Sequence, residues 1–218
     1  MNAPPAPLAE RLRLIVITDA ALAAPRSVLE VVAAALAGGA PAIQLRDKAA
    51  SAGELLTTAR ALRELTRPAG ALLFVNDRMD VALAAGADGV HLGPDDLPVA
   101  AVRRCAPPGF LIGYSTDDPE SARRAVREGA DYLGCGAVYP TGSKPDAGAV
   151  IGLERLDEVA RAVAAPVVAI GGVTPARARE VATTGAAGVA VIGAVMGAPD
   201  PAGAAAALLA PFRARSAR

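Results

Sequence analysis

A glycine-alanine pair recurs at four places in this chain, Gly39-Ala40, Gly86-Ala87, Gly129-Ala130 and Gly185-Ala186, and the third residue after each pair is apolar: Ile43, Val90, Leu133 and Val189. Glycine suits the end of a helix, where it adopts the capping conformation without a side-chain clash. Each copy therefore reads as a junction between a helix and the strand that follows. The intervals between copies leave room for two strand-helix units apiece, so the chain reads as four modules and eight strands. The runs rich in Val, Ile and Leu agree: Leu14 to Thr18, Ala42 to Arg46, Leu72 to Asn76, Gly89 to Leu92, Leu111 to Ser115, Tyr132 to Val138, Val167 to Ile170 and Gly188 to Ile192. Continuous apolar strands fit burial on both faces of a parallel sheet. Eight of them alternating with helices predict a single α/β domain over residues 1–218, a (β/α)8 TIM barrel, with residues 1–10 a loose amino-terminal extension. An open doubly wound sheet is the alternative.

The helices carry their own signals. Ser27 with Glu30 and Ser51 with Glu54 read as capping boxes, and Asp118-Pro119 and Thr174-Pro175 place a cap before a proline at the first helical position. Val28, Val31, Val32, Ala35 and Leu36, then Leu55, Ala59 and Leu62, follow helical spacing and give each helix one face to bury. Twenty-two basic residues balance twenty-two acidic ones, which argues against a nucleic-acid partner. The first thirteen residues lack an apolar core segment, and the longest apolar stretch is glycine-broken, so no membrane association and a cytoplasmic location are expected. Cys105 and Cys135 lack ligand spacing and read as reduced, buried thiols.

In a barrel, catalytic groups come from the loops after the strands. Those loops are polar here: Gln44-Leu45-Arg46-Asp47-Lys48, Asn76-Asp77, Gly93-Pro94-Asp95-Asp96, Ser115, Thr141-Gly142-Ser143-Lys144, Gly171-Gly172 and Gly193. Composition sharpens the point. Arginine supplies twenty of the twenty-two basic residues, and the chain has one Gln, two Lys and a single Asn apart from Asn2; Gln44, Lys48, Asn76 and Lys144 all fall in this ring. Arg46, Lys48 and Lys144 could converge on one polyanion, while Asp77 and Asp96, from adjacent strands, could share a cation. Mg²⁺ suits two carboxylates completed by water and phosphate oxygens, and without a Cys or His cluster zinc is not expected. The glycines after the seventh and eighth strands offer backbone N–H groups where barrels commonly bind a phosphate. Ser115 reads either as a substrate contact or as a strand end or helix cap. His91, inside the fourth strand, reads as a structural hydrogen-bonding residue, and Asp19 as either polar lining or a loop cap.

Five stretches then resemble the thiamine-phosphate synthase family: Gln44 to Lys48 (QLRDK), Asn76 to Pro98 (NDRMDVALAAGADGVHLGPDDLP), Gly113 to Ser115, Tyr139 to Ala147 (YPTGSKPDA) and Ala169 to Val173 (AIGGV). The resemblance spans nearly the whole chain in order. It implies a Mg²⁺-dependent transferase acting on two phosphorylated small molecules, joining 4-amino-2-methyl-5-hydroxymethylpyrimidine diphosphate to a thiazole phosphate to give thiamine phosphate and diphosphate. By that resemblance Gln44, Arg46, Lys48, Asn76, Ser115 and Lys144 contact the pyrimidine diphosphate, with Lys48, Ser115 and Lys144 in catalytic roles. Asp77 and Asp96 hold Mg²⁺, and Thr141, Gly142, Ser143, Gly172, Ile192 and Gly193 contact the thiazole phosphate. Gly142, Pro94 and Gly193 depart from the usual pattern; Gly193 keeps a backbone N–H but lacks the hydroxyl of the serine common there. A thiazole tautomerase on the same barrel would lack the acidic pair and the basic contacts. A precursor-binding protein without catalysis, or a sugar-phosphate isomerase needing a central acid-base pair, fits these residues less well. Oligomeric state is left open.

Overall fold

A computed structural model describes residues 6–142 and 148–216, with side chains described as far as residue 214. The first half of the chain runs α1 (Leu8–Arg11), β1 (Leu14–Ile17), α2 (Ala20–Ala23), α3 (Val28–Ala37), β2 (Ala42–Leu45), α4 (Ala52–Thr66), β3 (Leu72–Asn76), α5 (Met79–Ala85), β4 (Gly89–Leu92) and α6 (Val99–Cys105). The second half continues with β5 (Leu111–Ser115), α7 (Pro119–Arg127), β6 (Tyr132–Cys135), α8 (Gly152–Ala162), β7 (Val167–Ile170), α9 (Pro175–Val181), β8 (Gly188–Val191), α10 (Gly193–Met196) and α11 (Pro201–Ser216). The eight strands form a closed barrel in sequence order, all parallel, with β8 returning to β1 through Leu14 opposite Val189. Among the described residues no helix is long and apolar enough to cross a membrane.

Local chemistry places the helices as expected. Both capping boxes form, and Asp118 and Thr174 accept N–H groups in the first turns of α7 and α9. Asp19 proves to be a cap, accepting the Leu22 N–H at the start of α2. The α4 stripe buries Leu55, Ala59, Leu62 and Thr66. Full burial of a leucine such as Leu62 contributes about 1.5–3 kcal/mol, which anchors this helix to the barrel wall. Leu8 of α1 packs against the core, so residues 8–10 belong to the folded body rather than to the loose extension expected for residues 1–10.

Gly39, Gly86 and Gly129 all take the left-handed conformation expected of the repeat. Gly185 does not: α9 has already ended at Val181, and the Gly185 N–H instead donates to Asp157. Two copies build a matching ion pair. Asp88 and Asp131, each the residue after the Gly-Ala pair, accept the strand N–H groups of Leu73 and Ile112 and pair with Arg63 and Arg103. These pairs lock β4 and β6 to the preceding strands at the amino-terminal face of the barrel.

Inside the barrel, Tyr132 is fully buried, its ring 5.1 Å from that of Phe74 and 5.4 Å from that of His91. Gly113 is required there, because a Cβ at that position would collide with the Tyr132 ring and with His91. Four strands end one to three residues earlier than the sequence suggested, β6 most of all. Beyond Cys135 the chain is drawn towards β7, with Val138 and Tyr139 donating to the carbonyls of Ile170 and Gly171. Both cysteines are free, but only Cys135 is buried, its thiol pushed up to about 12 by desolvation; Cys105, on the outer side of α6, is exposed, contrary to the expectation from sequence.

Candidate active site

The carboxyl ends of the strands open into a cavity of about 620 Å³, within the usual range for small-molecule sites. On one wall, Arg46 and Lys48 from the loop after β2 face Asn76 at the end of β3, Asp77 just after it, and Asp95 and Asp96 after β4. Arg46, Asp77 and Asp96 are held by local bonds that the motifs alone do not announce. Thr18, buried at the end of β1, accepts the Arg46 N–H and donates to its carbonyl, fixing the backbone from which Arg46 projects. Asp47 does not line the cavity; its carboxylate accepts the N–H groups of Ala49 and Ala50 and shapes the turn carrying Lys48.

Asp77 is the only non-glycine among the described residues with positive φ, at 62°. Such conformations concentrate where a site dictates the backbone. The Asp77 N–H donates to the His91 carbonyl, which draws the loop back over β4. Asp96 is oriented by the Gly93 N–H, 2.7 Å from Oδ2. Burial, a hydrogen bond to Asp96 and the charge of Asp96 push the Asp77 carboxyl up to about 6, against the opposing pull of Lys48 and Arg46. Two carboxyl groups this close share a proton unless a cation lies between them. Among the described residues no group of three or more His, Cys, Asp or Glu side chains is placed to hold a metal. A two-carboxylate oxygen site is the kind that binds Mg²⁺ with water and phosphate supplying the remaining ligands.

The cavity floor is a hydrogen-bonded chain. Ser115 Oγ lies 2.9 Å from His91 Nε2, and His91 Nδ1 lies 2.9 Å from the Tyr132 hydroxyl, which also bonds Gln44. Ser115 is thus a cavity-lining residue, since the cap of α7 is Asp118. Gln44 is buried one layer beneath the cavity on Tyr132 and does not line it. His91 is hydrogen-bonded at both ring nitrogens yet reaches the cavity surface.

On the opposite wall, Thr141 and Gly142 after β6 meet Gly171 and Gly172 after β7 and Ile192 and Gly193 after β8. Gly171 and Gly172 have left-handed φ values of 94° and 64°, and a side chain on either would press into the β6 loop. Ser143 and Lys144 lie outside the described residues. Sequence reasoning missed Arg177 and Thr174 of the α9 start as cavity residues, and gave no role to Asp95, which it placed in the loop after β4; all three line the cavity. Arg177 carried no signal in a chain so rich in arginine.

A parallel barrel that gathers paired carboxylates, basic side chains and glycine-lined backbone at its strand ends is an enzyme of the kind that handles phosphorylated ligands. The chain belongs to the thiamine monophosphate synthase family, whose model matches residues 14–195. It is 54% identical over 186 residues to a thiamine-phosphate synthase of Roseiflexus castenholzii, covering 85% of this chain and 82% of that protein. The thiamine-phosphate synthase of Moorella thermoacetica is 51% identical over 192 residues, 88% of this chain and 91% of its own. The structure of a thiamine phosphate pyrophosphorylase from Pyrococcus furiosus superposes with a TM-score of 0.87 at 48% identity, covering 95% of this chain and 98% of that one. A 3-hexulose-6-phosphate synthase, at 23% identity and a TM-score of 0.70, shares the fold.

Proposed function

We propose that this chain joins 4-amino-2-methyl-5-hydroxymethylpyrimidine diphosphate to a thiazole phosphate, giving thiamine phosphate and diphosphate, with Mg²⁺ as cofactor. The observation that carries the reading is the facing pair Asp77 and Asp96 beside Arg46 and Lys48, in one cavity with the glycine-lined wall. Mg²⁺ held by Asp77 and Asp96 would neutralise charge on the diphosphate as it leaves. Arg46 and Lys48 bind and orient the same group, joined in this proposal by Lys144. As the methylene C–O bond breaks, its electron pair departs with the diphosphate, and the aminopyrimidine delocalises the positive charge left on carbon. Ser115 positions the pyrimidine through the chain that ends at Tyr132 and Gln44, while Asn76 contacts it from β3. The thiazole nitrogen then donates its lone pair to form the C–N bond. Thr141 to Ser143, Gly172, Ile192 and Gly193 hold the thiazole phosphate so that the nitrogen is in line and water, which would quench the cation, is kept out. No protein nucleophile is required.

A cytoplasmic location belongs to the same proposal, in keeping with two cysteines that are free rather than bridged. Incubation of the protein with both substrates, with and without Mg²⁺, tests the whole reading. Thiamine phosphate and diphosphate in equal amounts are expected only with the divalent cation. Turnover undiminished by chelation would remove the metal from the scheme; isomerisation of a thiazole without consumption of the pyrimidine would point to the tautomerase.

A further inference from the structure

The two walls of the cavity differ in charge. Among the described residues, the wall from β2 to β4 carries Arg46, Lys48, Asp77, Asp95 and Asp96, whereas the wall built by β6 to β8 and α9 carries one charged side chain, Arg177. That guanidinium is held in place from two sides. Its Nη1 donates to the Gly172 carbonyl at 2.7 Å, and its central carbon sits 4.6 Å from the centre of the Tyr139 ring. Tyr139 is fixed in turn by its hydroxyl, which donates to Glu180 at 3.0 Å. The nearby carboxylate is therefore spent on the tyrosine, and among the described residues no carboxylate forms an ion pair with Arg177.

A guanidinium has five donors in a planar fork that matches two oxygens of a phosphate. One donor is on Gly172, so the fork is immobilised and little rotamer freedom remains to be lost when an anion arrives. A stacked, carbonyl-anchored cation at the edge of a cavity, beside backbone that favours anions, is preorganised to receive one. We infer that Arg177 binds the phosphate of the thiazole substrate directly, supplying by side chain what Gly193 in place of serine does not. The inference rests on the reaction proposed above. It makes the cavity bipolar: one cationic group for the departing diphosphate, and a separate one for the phosphate that only anchors.

Steady-state kinetics of Arg177→Gln at saturating pyrimidine diphosphate test it, since glutamine retains a donor for Gly172 but not the charge. The thiazole phosphate KM should rise at least about tenfold, and that of the pyrimidine diphosphate should stay within about twofold. Inorganic phosphate, as an inhibitor competing with the thiazole phosphate, should weaken in the same proportion, and Arg177→Lys should recover part of both losses. An unchanged thiazole phosphate KM would overturn the inference. So would a rise unmatched by any loss of phosphate inhibition, because Arg177 would then only support the Gly172 loop. If the wild-type protein forms no thiamine phosphate, the reaction falls but Arg177 remains testable by calorimetric titration with inorganic phosphate. A tenfold weaker affinity in Arg177→Gln supports its role, and equal affinity removes it.

Discussion

Two pairs of aspartates sit at opposite ends of the barrel and lead opposite lives. Asp88 and Asp131, at the amino-terminal face, each have a guanidinium and a strand N–H as partners. Asp77 and Asp96, at the carboxyl-terminal face, stand opposite each other with no guanidinium among the described residues bonded to either; Asp96 takes the Gly93 N–H, while burial and the neighbouring Asp96 raise the pKa of Asp77. A satisfied carboxylate adds to stability, whereas an unsatisfied one is free energy held for a ligand. The barrel separates the two uses by position: the face where the helices hand over to strands is sewn together by ion pairs, and at the face where strands hand over to helices two carboxyl groups are set against each other.

Exchanging the lesions gives the largest expected effects. Asp88→Ala strips the Leu73 N–H and Arg63, a side chain whose Nε already lacks a partner. The loss should be about 2–3 kcal/mol of stability, a drop of roughly 5–10 °C in Tm, with turnover per folded molecule retained. Asp77→Ala should do the reverse, cutting turnover at least about tenfold, or roughly 1.4 kcal/mol of barrier, while Tm changes little, the relief of a repelling charge being offset by the strain of alanine at a φ of 62°. Thermal melts and kinetics on both variants decide the matter. An early melt for Asp77→Ala with normal kinetics would make it a structural residue like Asp88.

The same contrast explains what the sequence could reveal. Strand runs, caps and the Gly-Ala repeat depend on neighbours within a few residues, and they locate all eight strands, although Gly185 turned out to bond Asp157 rather than cap a helix. Asp77 and Asp96 were visible because loops after barrel strands are where chemistry collects, and because the scarce Gln, Asn and Lys cluster there. The roles of Asp88 and Asp131 were not, since their arginines lie 25 and 28 residues away and are chosen by helix packing. Nor was the depth of Gln44, which depends on Tyr132 crossing the barrel interior to meet His91, 41 residues distant in sequence. Arg177 needed the stack on Tyr139 to be noticed at all.

A weaker effect should follow pH. The Asp77 carboxyl stands at about 6 in the folded chain against an ordinary 3.8. Between those values the folded state keeps a proton that the unfolded state has released, so this group's contribution to stability falls as pH rises through the window and levels off above it. Denaturant midpoints of the metal-free protein and of Asp77→Asn, compared from pH 4 to 7, should drift apart in that sense. Saturating Mg²⁺ should remove the drift at the upper end, because a cation between the carboxylates replaces the shared proton. Parallel curves without metal would mean that Asp77 and Asp96 ionise independently, and the comparison with the opposite face would lose half its force.

The smallest expected effect lies on the wall that carries no acidic side chain among the described residues. Gly193 opens α10, and its φ is not among the positive ones, so its backbone accepts a side chain without the strain that Gly172 would suffer. Gly193→Ser adds a hydroxyl at the first residue of that turn, where the thiazole phosphate is proposed to rest on the N–H groups of Ile192 and Gly193. One further hydrogen bond to a charged, partly solvated phosphate contributes about 1 kcal/mol, which would lower the thiazole phosphate KM about fivefold. The pyrimidine diphosphate KM should not respond, since its anion is held from the other wall. Combining the change with Arg177→Gln sharpens the assignment further, because two donors on one phosphate should be coupled rather than additive. A response in the pyrimidine diphosphate KM alone would mean that the two anions occupy each other's places, and that the acidic pair faces the phosphate that stays rather than the one that leaves.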